Sequence, residues 1–416
     1  MITKLTGSGY TFCMCSLYLM FILSTCTQAP KEDFSTSKPP TLINEFSIPY
    51  LDLAFDSSRQ FVVDREDGIY FGHPTTVTIE EDQVETVLSV YPLGGHGKGI
   101  TTMRSTTDGG LTWSARYNAA TDLGRVEEVP TIHKVQDVTG KERLILFTGL
   151  YPARMAVSED KGRTWVPYQP LGDWGGIVVM GDLIPIKNQA SDDAFAPGKY
   201  LAFFHDDGRF ISGSNEIYRD PEKFVLYKTR SNDGGLSWSY PEVIWEDSLR
   251  YICEPGLVRS PDGKELAMLL RENSRRYNSQ IMFSQDEGEH WSAPRPLPRV
   301  LCGDRHVLRY NSDGRLVVVF RDRQRRTAKG PTEGDYVAWV GSYHDLVNGN
   351  DGQYRVRLLK NYKEYDCGYS GLELLQDGTF LATTYLQYRI EDNGNNSVVA
   401  VRFSLEELDQ MLPDGR

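Results

Sequence analysis

Ser231-Asn232-Asp233-Gly234-Gly235-Leu236-Ser237-Trp238 is the stretch on which the fold turns, because close copies of it stand at three other places in the chain. They are Ser105-Thr106-Thr107-Asp108-Gly109-Gly110-Leu111-Thr112-Trp113, Ser158-Glu159-Asp160-Lys161-Gly162-Arg163-Thr164-Trp165 and Ser284-Gln285-Asp286-Glu287-Gly288-Glu289-His290-Trp291. The first carries one extra residue ahead of its aspartate, and the last has His290 where threonine or serine stands elsewhere. A short acceptor such as Asp satisfies the amides of a turn. Gly takes a backbone conformation that other residues avoid, and Trp buries a large ring on a neighbouring sheet. The motif staples a hairpin, so its aspartates are structural rather than catalytic.

These aspartates lie 52, 73 and 53 residues apart, a spacing that fits propeller blades with insertions. Between them run short apolar or alternating strands such as Leu144-Ile145-Leu146-Phe147 and Leu316-Val317-Val318-Val319-Phe320, punctuated by turns at Asp313-Gly314 and Asp377-Gly378. The one helix expected is a short segment near Leu405 to Met411. A second repeat marks where blades begin: Gly72-His73-Pro74-Thr75-Thr76, Glu128-Val129-Pro130-Thr131-Ile132, Gly176-Ile177-Val178-Val179, Glu254-Pro255-Gly256-Leu257, Asp304-Arg305-His306-Val307 and Tyr369-Ser370-Gly371-Leu372. Six starts predict an all-β, six-bladed β-propeller over residues 43–416. Ile43 to Val63 then supplies the outer strand that closes the ring with the last blade and abolishes a free edge.

Of the 416 residues, 40% are hydrophobic, enough for a large core. Acidic residues outnumber basic ones, 57 to 45, for a net charge of −12, which argues against nucleic acid or an anionic membrane as partner. Residues 1–26 read as a targeting segment: Lys4, an apolar run from Tyr10 to Leu23, then Leu23-Ser24-Thr25-Cys26. That ending resembles a bacterial lipobox, which implies export, lipidation of Cys26 and a place in the cell envelope, with membrane contact through the lipid alone; ordinary secretion or an uncleaved anchor, for which the run is short, are the alternatives. Residues 27–42, rich in Ser, Thr, Lys and Pro, form a flexible tether. Cys253, Cys302 and Cys367 stand at inner-strand starts, where burial is the simple expectation and a disulfide between two of them the alternative. No metal-ligand spacing is present, and no cofactor is expected.

Inner strands of a propeller converge at one mouth, so His73, Glu128, Gly176, Glu254, Arg305 and Tyr369 should meet around one small ligand. Here the chain resembles the sialidase superfamily along its mature length. Cys253-Glu254-Pro255 followed by Met268-Leu269-Leu270-Arg271-Glu272-Asn273 is similar to the segment carrying that family's essential glutamate and second triad arginine. Gly368-Tyr369-Ser370-Gly371-Leu372 is similar to the segment carrying its tyrosine nucleophile. The resemblance implies a glycoside hydrolase acting on a glycan, with Glu254 taking the proton of Tyr369 and arginines binding a sugar carboxylate. Departures accompany it: Gly72-His73-Pro74 stands in place of the first triad arginine, and the loop Gly94-Gly95-His96-Gly97-Lys98-Gly99 lacks the family's acid/base aspartate. His96 is then the candidate proton donor. Arg271, Arg305, Arg321, His73 and Glu128 are candidate substrate-binding residues, with Glu128 alternatively a second carboxylate facing Glu254. The reading is an exo-acting hydrolase of a terminal, acidic sugar. A surface glycan-binding propeller without catalysis, or a structural interaction module, are the competing readings.

Overall fold

The computed structural model describes residues 46–117, 123–188, 195–212, 223–323, 330–363 and 365–413. The expected leader with Cys26, and the expected tether, lie outside the described residues. Six sheets account for the described fold, five of four antiparallel strands and one of five whose added edge strand is parallel. Their inner strands are Thr75–Glu81, Thr131–Gln136, Ile177–Lys187, Ile252–Arg259, Gly303–Tyr310 and Ser370–Leu374, which match the six expected blade starts. Each inner strand contacts the next, and the sixth returns to the first, so the blades form a closed ring. Middle strands such as Leu266–Glu272 and Leu316–Asp322 are buried almost throughout, because neighbouring blades cover both faces of each sheet.

Closure works as expected: Gln60–Asp64 pairs antiparallel with Ser397–Phe403 as the outer strand of the sixth blade. A further strand, Tyr50–Asp52, pairs parallel with Tyr354–Leu359 and gives the fifth blade its extra strand, which sequence reasoning did not foresee. Arg357 anchors it, held by Asp52 on one side and by Asp335 at 3.4 Å on the other. Leu405–Met411 is the expected helix, capped by Ser404, and a second short helix, Tyr343–Asn348, follows the third strand of the fifth blade.

The four hairpin motifs do what their chemistry predicts. Asp160 accepts from Ser158 Oγ (2.8 Å), Thr164 N (2.8 Å) and Thr164 Oγ1 (2.5 Å), while Gly162 N donates to Ser158 Oγ (2.8 Å). His290 substitutes for Thr by donating its backbone N–H to Asp286 (2.9 Å) and placing its ring Nδ1 2.6 Å from the same carboxylate. The first copy needs correction. Thr106 occupies the serine place, bonding Asp108 at 2.7 Å and receiving Gly110 N at 2.9 Å, so no extra residue is present. A Cβ on the box glycine would meet the preceding blade in each case: Leu381 from Gly110, Leu88 from Gly162, Ile145 from Gly235 and Leu201 from Gly288. The glycine is needed for both its left-handed φ and this close approach. Cys253, Cys302 and Cys367 are buried and free, which removes the disulfide alternative.

Candidate active site

Backbone strain gathers where the inner strands begin. His73, Val178, Glu254 and Arg305 occupy blade starts with φ of 55°, 53°, 53° and 54°. For Glu254 and Arg305 the pairing with the second strand slips there, between Cys253 and Gly256 and between Asp304 and Val307. A left-handed non-glycine residue costs about 1–2 kcal/mol, so the ring holds several such conformations where a site would form.

Tyr369 and Glu254 meet across the axis, from the sixth and fourth blades. The phenol donates a short hydrogen bond to Glu254 Oε1, and Arg271 Nη1 donates to the same oxygen at 2.6 Å. Glu254 is 3% exposed and Tyr369 9%. Burial raises the Glu254 carboxyl and the Asp304 charge adds to that, but the Arg271 guanidinium, the Tyr369 hydrogen bond and His205 together hold the group below its ordinary value. Burial, reinforced by the Glu254 charge, pushes the Tyr369 phenol well above its usual value. The result is an ionised acceptor hydrogen-bonded to a neutral phenol.

The arginines expected to receive a substrate carboxylate are already engaged. Arg321 Nε and Nη2 donate to Asp304 Oδ2 at 2.9 and 2.5 Å. Arg275 binds Asp304 through both terminal nitrogens, and Arg271 Nε lies 3.3 Å from Asp304 Oδ1. Burial opposes ionisation of Asp304, but Arg271, Arg275 and Arg321 together hold it well below its ordinary value. Arg305 departs from its expected substrate-binding role. It is 5% exposed and donates to the carbonyls of Gly181 (2.6 Å) and Pro255 (3.4 Å), with its guanidinium 5.8 Å from the centre of the Tyr369 ring. It ties three blades together.

His73 is equally enclosed. It accepts Gly97 N–H at Nδ1 (3.2 Å), which leaves its proton on Nε2, facing the Tyr385 hydroxyl at 3.1 Å. That hydroxyl in turn donates to Asp366 (3.1 Å). Burial pushes His73 well below its ordinary value, so it is a neutral relay in the wall rather than a charged contact to substrate. His96 is the exposed partner: its Nδ1 lies 2.9 Å from both Asp366 Oδ1 and the Tyr70 hydroxyl, and its ring stands edge-on to His73 with centroids 4.5 Å apart. The ligand atoms of His73, His96 and Asp366 lie within 4.8 Å of one another, the spacing of a metal trio. A metal on His73 Nε2 would require the proton on Nδ1, where the Gly97 amide already donates. The trio is therefore a hydrogen-bond network by its donor set.

Glu128, from the second blade, receives the amide of Val129, and burial raises its carboxyl to about 7, with Glu254 adding in the same direction. Its Oε1 lies 2.9 Å from where a Cβ on Gly97 would sit, so the glycine lets the His96 loop come down against it. Sequence reasoning missed Asp366, Tyr70, Tyr385 and Arg275. Tyr385 had a signal: it is the penultimate residue of its blade's second strand, as Arg271 and Arg321 are of theirs. Asp366, in the loop entering the sixth blade, had none.

By sequence, the family model described as BNR repeat-like domain matches residues 97–328, more than half of the chain. No curated protein matches it. By structure, the chain is similar to a Dyadobacter fermentans protein of unknown function, with TM-score 0.60 and 14% identity over 83% of this chain and 97% of that one. It is also similar to the intramolecular trans-sialidase of Ruminococcus gnavus solved with oseltamivir carboxylate, with TM-score 0.52 and 14% identity over 82% and 95% of the two chains. A third is the GH93 α-L-arabinofuranosidase of Fusarium graminearum solved with arabinobiose, with TM-score 0.53 and 12% identity over 84% and 97%. At such identities the structural likeness is one of fold. Hairpin motif, blade order and family match converge, and the chain belongs to the BNR repeat-like domain family, built as a sialidase-type six-bladed propeller.

Proposed function

We propose that the chain is an exported, exo-acting glycoside hydrolase that removes a terminal sugar from glycans with Tyr369 as nucleophile and Glu254 as its base. The hydrogen bond from the Tyr369 hydroxyl to Glu254 carries this reading. A phenol held far above neutral pH attacks only if its proton leaves in the same step, and Glu254, kept ionised by Arg271, is in place to take it. As the phenol oxygen bonds the anomeric carbon, the leaving oxygen needs a proton. Glu128, at about 7, holds one below neutrality. In the second half-reaction Glu128 takes a proton from water, water attacks the sugar, and Glu254 returns the proton to Tyr369. The deep placement of the nucleophile favours the end of a glycan over its interior.

A second reading has its own observation. Glu128 is pushed up and Glu254 held down, the divergence that separates acid from base in two-carboxylate glycosidases. There, Tyr369 only positions Glu254. A panel of aryl glycosides, both neutral and acidic, assayed on the wild type, Tyr369→Phe, Glu254→Gln and Glu128→Gln decides. The proposal expects the first two variants to lose turnover on poor and good leaving groups alike, and Glu128→Gln to lose it chiefly on poor ones. Activity surviving Tyr369→Phe but not Glu254→Gln favours the two-carboxylate reading. Glycan binding with no turnover anywhere favours a non-catalytic binding propeller. Secretion through the leader and anchoring at Cys26 are part of the same proposal.

A further inference from the structure

The arginine cluster beside the Tyr369–Glu254 pair already holds a carboxylate, and that carboxylate belongs to the chain. Asp304 is 1% exposed, at the start of the fifth blade's inner strand. Arg275 spends both terminal nitrogens on it, and Arg321 spends its Nε and Nη2 edge. Arg271 divides between Asp304 and Glu254. These are the paired donor edges with which a guanidinium grips a carboxylate bidentately. A carboxylated sugar entering here finds each guanidinium already sharing its charge with Asp304 or Glu254, and it must sit beside these two buried anions. An uncharged sugar meets the guanidinium N–H groups as ordinary hydrogen-bond donors to its hydroxyls, with no like charge to oppose it.

We infer that Asp304 is a built-in occupant of the arginine cluster and the residue that restricts the site to uncharged terminal sugars. This rests on the reading of the site as sugar-binding, and it inverts the expectation of an acidic sugar drawn from the arginines alone. Discrimination of this kind comes from placing a like charge against the wrong ligand as much as from contacts to the right one. Asp304 thus acts on specificity through Arg271, Arg275 and Arg321, without itself reaching the substrate.

The test measures binding rather than turnover, so it stands apart from the catalytic reading. Wild type, Asp304→Asn and Asp304→Gly are titrated at fixed ionic strength with glucuronate, N-acetylneuraminate, glucose and galactose, by calorimetry and by the shift in Tm. Wild type should bind neither carboxylated sugar more tightly than the neutral ones. Asp304→Asn should gain on the order of tenfold or more for the carboxylated pair, the yield of one charge-assisted hydrogen bond. That gain should vanish in Asp304→Asn combined with Arg321→Ala. Asp304→Gly should lose Tm and recover part of it in formate, a carboxylate small enough to take the vacated place. Preferential binding of glucuronate or N-acetylneuraminate by wild type, lost on Arg321→Ala, would overturn the inference. So would variants that fold yet gain nothing for carboxylates. If neither Asp304 variant folds, the wild type and Arg275→Ala decide alone. No carboxylate preference in wild type supports the inference, and a preference that Arg275→Ala abolishes refutes it.

Discussion

Glu128→Gln isolates one proton whose energetics the fold sets. The Glu128 carboxyl stands at about 7 in the folded chain against an ordinary 4.5, and burial is the leading cause. Its folded value is the raised one, so the folded state holds the proton more tightly than the unfolded state does. Below about pH 4.5 both states are protonated, and this contribution to stability is fully present. As pH rises from 4.5 to 7 the unfolded chain ionises freely while the folded one does not, and stability falls; above 7 both are ionised and the loss is complete. A shift of this size corresponds to ~2–3 kcal/mol after allowing for the solvent that reaches a partly buried group. Gln keeps the shape and removes the proton. Asp206 and Asp335, each raised to about 6 by burial, titrate in the same window and cancel when the two proteins are compared. Urea unfolding of wild type and Glu128→Gln from pH 4 to 8 should therefore show wild type losing that amount relative to the variant between 4.5 and 7, then running parallel. If the same group is the proton donor, kcat/KM of wild type falls above pH 7 and the variant lacks that limb. Parallel stability curves across the whole range would refute the burial argument and leave Glu128 an ordinary surface carboxylate.

Asp233→Ala removes the acceptor of four hydrogen bonds, from Ser231 Oγ, Leu236 N, Ser237 N and Ser237 Oγ. It should cost about 2 kcal/mol in urea unfolding, water replacing part of the loss, and leave specific activity unchanged per folded molecule. Asp52→Ala strands Arg357, which keeps only the 3.4 Å contact to Asp335 within the buried pair. A loss of about 3 kcal/mol is expected, with faster hydrogen exchange in the Tyr50–Asp52 strand, read by mass spectrometry. Cys26→Ala should abolish incorporation of labelled fatty acid in a bacterial host and shift the protein from the membrane fraction to the soluble one. Continued labelling would remove the lipobox reading.

The architecture was legible because repetition is a global signal carried by local residues. Four hairpins each place Asp, Gly and Trp at fixed offsets, and six blade starts recur between them, so a small substitution such as Thr106 for serine blurs a copy without hiding it. The Tyr369–Glu254 pair was legible for a related reason: blade starts converge by geometry, whatever lies between them in sequence. What stayed illegible is how neighbouring side chains share charge. Arg271, Arg305 and Arg321 all read as ligand-binding arginines, yet Arg305 is spent on carbonyls and the other two on Asp304, a residue visible in the same rim but not separable from a solvent-facing acid by sequence. Asp366 illustrates the limit further. It is a loop residue with no periodicity, made important by Tyr70, Tyr385, Asn396 and His96 arriving from elsewhere in the chain and by Lys363 three residues before it. The strand Tyr50–Asp52 is too short to announce itself, and its partner lies some 300 residues away in sequence.

The central claim is that Tyr369 forms a bond to the sugar. The direct measurement is peptide mapping by mass spectrometry after incubation with 2-deoxy-2-fluoroglycosyl fluorides, which slow release of the glycosyl-enzyme. The account predicts an adduct of one fluorosugar on the peptide containing Tyr369, absent in Tyr369→Phe and formed more slowly in Glu254→Gln. An adduct on Glu254 or Glu128, or turnover that persists in Tyr369→Phe, would contradict it.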